Sequence, residues 1–348
     1  MDINLMAPIN PLGYGVVGLN VFKALSSVAN VSLFPIGQPQ VTTQGDAEAV
    51  KIGIDNSHTF DRNAPCIKIW HQHDMAQFVG CGKHVGFPIF ELDTFNELET
   101  HHLKSVDELF VCSSWAKGVT KHLNVPTCVV PLGVDGSVFP LYEDSKEDNK
   151  TIFFNCGKWE IRKGHDILIE AFKKVAKNHE NVELWMMCEN PFNSPEEEHK
   201  WANLYNHPKV RLIPRAETQA GVYNIMCKAD CGVFPSRGEG WNLELLEMMS
   251  IGKHVIATNY SAHTEFCTQE NCDLVTITDK EPAFDGKWFF GQGNWAKIEE
   301  AQILQLQQHM EAFHESDPPL REQVNHAGVK TASKLSWENT ATIILENL

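Results

Sequence analysis

The feature that most constrains this chain is an alternation carried through twice. Short apolar runs of strand length occur at residues 2–6, 31–35, 50–54, 66–70, 109–112 and 127–131, and again at 151–156, 183–187, 210–213, 231–235 and 254–258. Segments with helical spacing lie between them, among them 15–25, 166–178 and 243–251. In the second of these, Ile167, Leu168, Ala171, Phe172 and Val175 fall on one helical face. Strands alternating with helices predict a parallel sheet covered on both faces. Each half opens with a strand, a glycine-bearing loop and a helix, and 348 residues suffice for two such domains. The expected architecture is α/β: two Rossmann-like, doubly wound parallel-sheet domains facing a cleft. The boundaries read as residues 1–140, a polar linker at 141–150, a second domain at 151–325, and C-terminal helices at 326–348 that can pack back on the first domain. In such sheets ligands bind beyond the C-terminal ends of the strands, so the loops there are where chemistry is to be sought.

Charge narrows the partners. With 29 basic and 45 acidic residues the formal charge is −16. A chain this acidic repels phosphate backbones and anionic bilayers, so a nucleic-acid partner is not expected. No run reaches the ~18 apolar residues of a spanning helix. The start, MDINLMAPINP, has neither a basic segment nor a long apolar one, and a cytoplasmic location is expected. The ten cysteines include no CxxC pair and read as reduced, mostly buried thiols, not as a disulfide framework or zinc site.

Three loops carry the strongest signals. Gly13-Tyr14-Gly15-Val16-Val17-Gly18 fits GxGxxG between a strand and a helix. A dinucleotide fingerprint also needs an acid about 20 residues on to hold the ribose. The corresponding stretch, residues 33–38, has none, which argues against a nicotinamide oxidoreductase. A tight glycine turn, with or without a phosphate beside it, remains. The second loop is Phe234-Pro235-Ser236-Arg237-Gly238-Glu239-Gly240-Trp241-Asn242, leading into a helix near Leu243. The first amides of that helix lack intrahelical acceptors and make an anion site. Glu247 lies just over one turn inside, and its side chain leans back toward the mouth. With Leu245, Leu246, Met248 and Met249 around it, that helix is expected to be buried, and a buried carboxylate needs a partner such as a ribose hydroxyl. The third loop, Gly157-Lys158-Trp159-Glu160-Ile161-Arg162-Lys163-Gly164, brings Lys158 and Lys163 to a strand end. Flexible ammonium groups there suit a leaving diphosphate, or else form a solvated basic loop.

These runs resemble the retaining GT-B glycosyltransferases, in particular the metal-independent E-x7-E group of glycosyltransferase group 1 type. Glu239 and Glu247 have the E-x7-E spacing, and the likeness extends to Cys112-Ser113-Ser114-Trp115, Pro131-Leu132-Gly133-Val134-Asp135 and Leu335-Ser336-Trp337-Glu338. The resemblance implies transfer of a hexose-type sugar from a nucleoside-diphosphate sugar to an acceptor hydroxyl, with anomeric retention and no cofactor or metal. It implies that Glu239 holds donor-sugar hydroxyls and Glu247 the ribose. Asn242 and Leu243 would offer amides to the diphosphate, with Gly240 and Trp241 in the same loop. Lys158 and Lys163 would neutralise that diphosphate as it leaves. Gly13 and Gly15 would form the first-domain loop beneath it, and the nucleobase would lie near Pro214 and Arg215. The chain departs from the family pattern in having Lys158 where arginine is common, Asn242 where glycine is frequent, and Ser261-Ala262 where two glycines are usual. These changes bear on donor identity more than on reaction class.

Ile69-Trp70-His71-Gln72-His73-Asp74 ends a first-domain strand. Two imidazoles and one carboxylate are too few for a metal site. The resemblance places a histidine here near the donor sugar; His71 matches best, with His73 as the alternative. Glu91 is an acceptor-side candidate on the same grounds. Glu97, Glu99, His101 and His102 read as a solvated helix face with no role. Two rival functions share the donor site: a GT-B nucleotide-sugar epimerase, and a non-catalytic sugar-nucleotide-binding module.

Overall fold

The computed structural model describes residues 1–143, 150–317 and 323–348. Most of the expected linker, residues 144–149, lies outside the described residues. The chain forms two compact units, Met1–Gly133 with Leu335–Leu348, and Val134–Lys334.

The first unit is built on a six-stranded parallel sheet ordered β2-β1-β3-β4-β5-β6. Its strands are β1 (Asp2–Ala7), β2 (Asn30–Pro35), β3 (Cys66–Trp70), β4 (His84–Pro88), β5 (Glu108–Val111) and β6 (Thr127–Val129). The chain winds one way from β1 to β2 and the other way from β3 onward. The reversal between β1 and β3 is the position where a doubly wound sheet opens a crevice. Helix α1 (Gly13–Ser26) follows β1, and the C-terminal helix Trp337–Glu346 belongs to this unit. That helix is anchored by Thr340 Oγ1, which donates to the Pro131 carbonyl at 2.7 Å.

One expected strand is a helix. Residues 50–54 lie inside α2 (Gln44–Ser57), whose N-cap Thr43 accepts from Asp46 N–H. The Val50/Ile52/Ile54 alternation looked like period 2, but the buried face is Val50 and Gly53, while Ile52 is 62 % exposed. Gly53 packs against Phe22 and Leu33, where a Cβ would meet the Phe22 ring at 2.6 Å. Packing across the i, i+3 pair decided the period.

The second unit repeats the design with the order β12-β11-β10-β7-β8-β9, again all parallel. Here β7 is Thr151–Gly157, β8 Val182–Cys188, β9 Val210–Leu212, β10 Cys231–Phe234, β11 His254–Thr258 and β12 Asp273–Val275. The reversal falls between β7 and β10. Phe153, Leu168, Phe172, Val233, Ile256 and Met310 form the core between this sheet and its helices. Those that frame the site are α5 (His165–Asn178), after β7, and α8 (Leu243–Ser250), after β10. An antiparallel hairpin, β13 (Lys280–Phe284) and β14 (Phe290–Ala296), follows β12. The sequence reading did not anticipate it.

Candidate functional site

In the second unit the loops after β7 and β10 meet at the strand-order reversal, and their charged side chains pair there. Gly164 makes the meeting possible: its φ is +72°, and a Cβ would sit 2.1 Å from the Pro235 carbonyl oxygen. Arg237 N–H donates to Arg162 O at 2.7 Å, and the Arg237 guanidinium grips Asp166 through two 2.8 Å bonds.

Arg162 is the hub. Its Nη1 donates to Glu239 Oε2 and to Gly238 O, both at 2.8 Å. Its Nε and Nη2 donate to Glu160 Oε2 at 3.1 and 2.7 Å. Lys163 Nζ lies 3.1 Å from Glu239 Oε1 and 3.9 Å from Glu244 Oε2. Lys158 Nζ, more exposed, lies 2.9 Å from Glu160 Oε1. Ser236 Oγ donates to Glu239 Oε1 at 2.8 Å. Three cations thus face three carboxylates. Burial alone raises the Glu239 carboxyl, but Arg162 and Lys163 override it and hold the group well below the usual carboxylate range. The same pairing with Glu239, then Glu244, outweighs burial at Lys163 and holds its ammonium above the ordinary lysine value.

A neutral histidine fixes the geometry of the β7 loop. Burial, then Lys163, lower His165 to about 3. The ring can therefore accept from Glu160 N–H at Nδ1, 3.3 Å, and donate to Asn155 Oδ1 from Nε2, 3.0 Å. Asn155 in turn donates to the Val233 carbonyl on β10 at 2.7 Å.

Helix α8 begins at Asn242, which has φ 90° and whose Oδ1 accepts from Leu245 N–H at 3.3 Å. The residue therefore caps the helix and adopts the left-handed backbone that favours glycine. Its Nδ2 donates to His263 Nε2 at 2.9 Å, while His263 Nδ1 donates to Thr258 O at 2.9 Å. Ser261, also left-handed at φ 52°, accepts from Glu239 N–H at 2.8 Å. The departures at Asn242 and Ser261 are thus bracing residues of the loop that carries Glu239. The amides of Leu243 and Glu244 are left without intrahelical acceptors. Gly240 and Trp241 are buried, and the Trp241 indole N–H has no hydrogen-bond partner among the described residues.

Glu247 is 7 % exposed, and its carboxyl makes no described hydrogen bond or ion pair. Burial first, and the Glu244 charge second, push it up to about 8. Pro214 and Arg215 follow the edge strand β9, two strands from β7.

At the first unit's reversal the groups are rings. The strand ends at Trp70, as its apolar run predicts, and beyond it His71 and His73 share a side, stacked at 5.2 Å and 11°. Tyr14 lies 4.5 Å from His71, centroid to centroid, and its hydroxyl donates to the Ile89 carbonyl. Asp74 pairs with buried Lys68 at 3.2 Å, so the acid of the HxHD run is turned to a lysine. Glu91, half-buried, follows β4 beside Phe90. Gly15 allows α1 to approach the loop: a Cβ there would lie 2.2 Å from Asn10 O, whereas Gly13 has open space.

Helix α3 (Glu97–Leu103) corrects the expectation of a wholly solvated face. Glu99 is buried, completes a capping box with Asn96, and accepts from Gln72 Nε2 at 2.9 Å. His102 Nδ1 accepts from Met75 N–H at 3.2 Å. These two residues clamp the segment that carries His71 and His73. Glu160, Arg162, His165 and Asn155 were likewise missed; the readable signal was both charge signs alternating inside one short loop.

Comparison with known proteins bears on the cluster directly. Residues 149–285 match the model of the family Glycosyl transferases group 1. That span holds both loops of the charged cluster, from β7 through α8 and the bracing residues Ser261 and His263. Among solved structures, sucrose-phosphate synthase from Thermosynechococcus elongatus is 13 % identical with a TM-score of 0.69, covering 100 % of this chain and 98 % of that one. Anabaena HepE in complex with UDP-glucose is 16 % identical with a TM-score of 0.70, covering 100 % of both chains. At such identities the likeness shows the fold, which is GT-B. A protein named "Putative glycosyltransferase 45" from Sulfolobus islandicus filamentous virus (isolate Iceland/Hveragerdi) is 20 % identical over 194 residues, 53 % of this chain. The match spans about half of that protein's length, 51 %. Among the described residues no helix is long and apolar enough to cross a membrane.

Proposed function

We propose that the chain is a glycosyltransferase that moves a hexose-type sugar from a nucleoside diphosphate to an acceptor hydroxyl, retaining the anomeric configuration and using no metal. The observation that carries this reading is the Lys163–Glu239 pair, 3.1 Å apart at the mouth of α8. It puts a permanent cation, a permanent anion and free helix amides within one buried site. HepE, of the same fold, is described in complex with UDP-glucose.

In this reading the diphosphate sits on the amides of Asn242 and Leu243, beside that of Glu244, and on the positive end of α8. Lys158 and Lys163 turn to it and take up charge as the sugar–oxygen bond breaks. Glu239 already accepts from Arg162, Ser236 and Lys163. When Lys163 moves to the diphosphate, one Glu239 oxygen is freed for a sugar hydroxyl, while Arg162 keeps the carboxylate charged and fixed. Glu247, buried without a partner, receives the ribose hydroxyls. By the family resemblance, the first unit's candidates are the Gly13–Gly15 turn and His71 for the donor, and His73 and Glu91 for the acceptor. The acceptor hydroxyl attacks on the face that the diphosphate leaves, so no enzyme nucleophile is required.

The reading is tested by nucleotide binding together with donor turnover. Lys163→Ala is expected to lower turnover about 100- to 1,000-fold, as loss of one preorganised charge does, with a smaller effect on nucleotide affinity. Glu247→Ala is expected to weaken nucleotide binding. Unchanged turnover in the lysine variant removes Lys163 from the reaction. A changed free sugar released without acceptor identifies an epimerase, and binding without turnover identifies a non-catalytic module.

A further inference from the structure

The hairpin β13–β14 is fastened at both ends to the edge of the sheet where the charged cluster lies. At its base, Ala296 N–H donates to Arg237 O at 2.8 Å, and the Arg237 guanidinium lies 5.8 Å over the Trp295 ring. At its tip, Lys287 Nζ donates to Phe192 O at 2.7 Å and Asn193 Oδ1 at 2.9 Å, and pairs with Glu197 at 3.1 Å. The turn is held by Asp285 Oδ1, which accepts from the amides of Lys287, Trp288 and Phe289 at 2.8, 2.8 and 2.9 Å. The hairpin therefore joins the loop after β10 to the loop after β8.

This well-tied frame does not bury its rings. Trp288 is 48 % exposed and meets Phe192, 51 % exposed, edge to face at 5.9 Å. On the strands, cross-strand partners Phe284 and Phe290 are 62 % and 64 % exposed, 6.2 Å apart. Three exposed aromatic rings on the hairpin, with Phe192 on the loop to which it is tied, mark an interaction surface. The surface is continuous with the cluster, because Lys158 Nζ lies 5.6 Å from the Phe192 ring. What it can hold is limited by charge. Its lysine, Lys287, is taken up by Glu197, the Phe192 carbonyl and Asn193 Oδ1, and Lys158 at its margin is paired with Glu160. The chain's formal charge of −16 opposes anionic bilayers and nucleic acid. A pyranose chain fits: it is neutral, and it offers C–H faces to ring faces while its hydroxyls stay in water.

We propose that the Phe192/Trp288 pair, extended by Phe284/Phe290, is a stacking platform for a neutral oligosaccharide acceptor. The proposal rests on the glycosyltransferase reading, and its test separates the two. Maltohexaose, cellohexaose and chitohexaose are titrated by calorimetry and saturation-transfer NMR against the wild type, Trp288→Ala and Trp288→Tyr, with UDP and GDP titrated in parallel. The expected result is binding of at least one hexaose, weakened about tenfold in Trp288→Ala and largely retained in Trp288→Tyr, with nucleotide affinity unchanged. If a nucleotide binds but no hexaose does, or if Trp288→Ala binds it as well as wild type, the platform is overturned and the donor site stands. If a hexaose binds and no nucleotide does, the glycosyltransferase reading falls and the platform survives as a sugar-binding surface. Sedimentation showing a dimer that Trp288→Ala dissolves, or flotation with phosphatidylcholine vesicles that the variant loses, assigns the rings another occupant and overturns the proposal.

Discussion

The two sheets reverse their strand order in the same way, but they furnish the reversal differently. In the second unit it is filled with charge: Arg162, Lys163 and Lys158 against Glu160, Glu239 and Glu244. In the first it is filled with rings, Tyr14, Trp70, His71 and His73, over a helix drawn close by Gly15. A buried ion cluster is expensive unless its members are paired, and here each of the six groups meets at least one opposite charge. A ring cluster carries no such penalty, because its contacts are between aromatic faces and edges. The contrast sets a fixed, paired charge network in the second unit against a ring cluster in the first, and under the glycosyltransferase proposal it is the charge network that holds the diphosphate.

The largest effect tests whether the charges are as interdependent as they look. Arg162→Met leaves Glu160 and Glu239 buried without their main partner and is expected to cost about 3–5 kcal/mol, read as a lowered urea midpoint with unchanged slope. A loss below ~1 kcal/mol would mean that water compensates the acids and the cluster is not preorganised. Next is the close approach in the first unit. Gly15→Ala forces a Cβ against Asn10 O and is expected to cost about 1–3 kcal/mol, whereas Gly13→Ala, in open space, stays within about 0.5 kcal/mol. Equal costs at the two glycines would break the claim that only one of them serves packing.

A third expectation concerns pH. Glu247 is raised from 4.5 to about 8 in the folded protein. Through that window the native state holds a proton that the unfolded chain has lost, so stability falls as pH rises and levels off above it. Glu247→Gln removes this dependence: its Tm should exceed that of the wild type at pH 8 and converge with it near pH 5. A difference that does not change with pH would mean the carboxyl is solvated. The smallest effect is at His73, exposed and stacked on His71. His73→Ala should leave the Tm within a degree or two.

Much of this contrast was legible in the sequence. Strand, glycine loop and helix located both reversals, and the Glu239/Glu247 spacing pointed to the charged one. What escaped was what side chains do once buried. The run Glu160-Ile161-Arg162-Lys163 read as a cation pair for a diphosphate or a solvated basic loop, not as an ion cluster, because pairing partners 77 residues away, such as Glu239 for Arg162, are invisible along a chain. Glu99 and His102 read as solvated because a helix face gives no hint of the loop that will pack on it. Residues 50–54 read as a strand because five residues fit period 2 and period 3.6 nearly alike. The hairpin was legible and overlooked: Asp285-Gly286 between aromatic runs is a turn signal. The pairing of Lys163 with an acid could not have been read at all, since it depends on the register of β7 against β10.

The most direct test of the account is calorimetric titration of UDP and GDP at pH 7 in two buffers of different ionisation enthalpy. If the second unit is a nucleotide-sugar site and Glu247 receives the ribose, one nucleotide binds, and binding drives the Glu247 proton into the buffer. Glu247→Gln then binds without that release, and Glu247→Ala binds about tenfold more weakly or worse. Binding that is identical in all three proteins, or no binding of either nucleotide, would contradict the account.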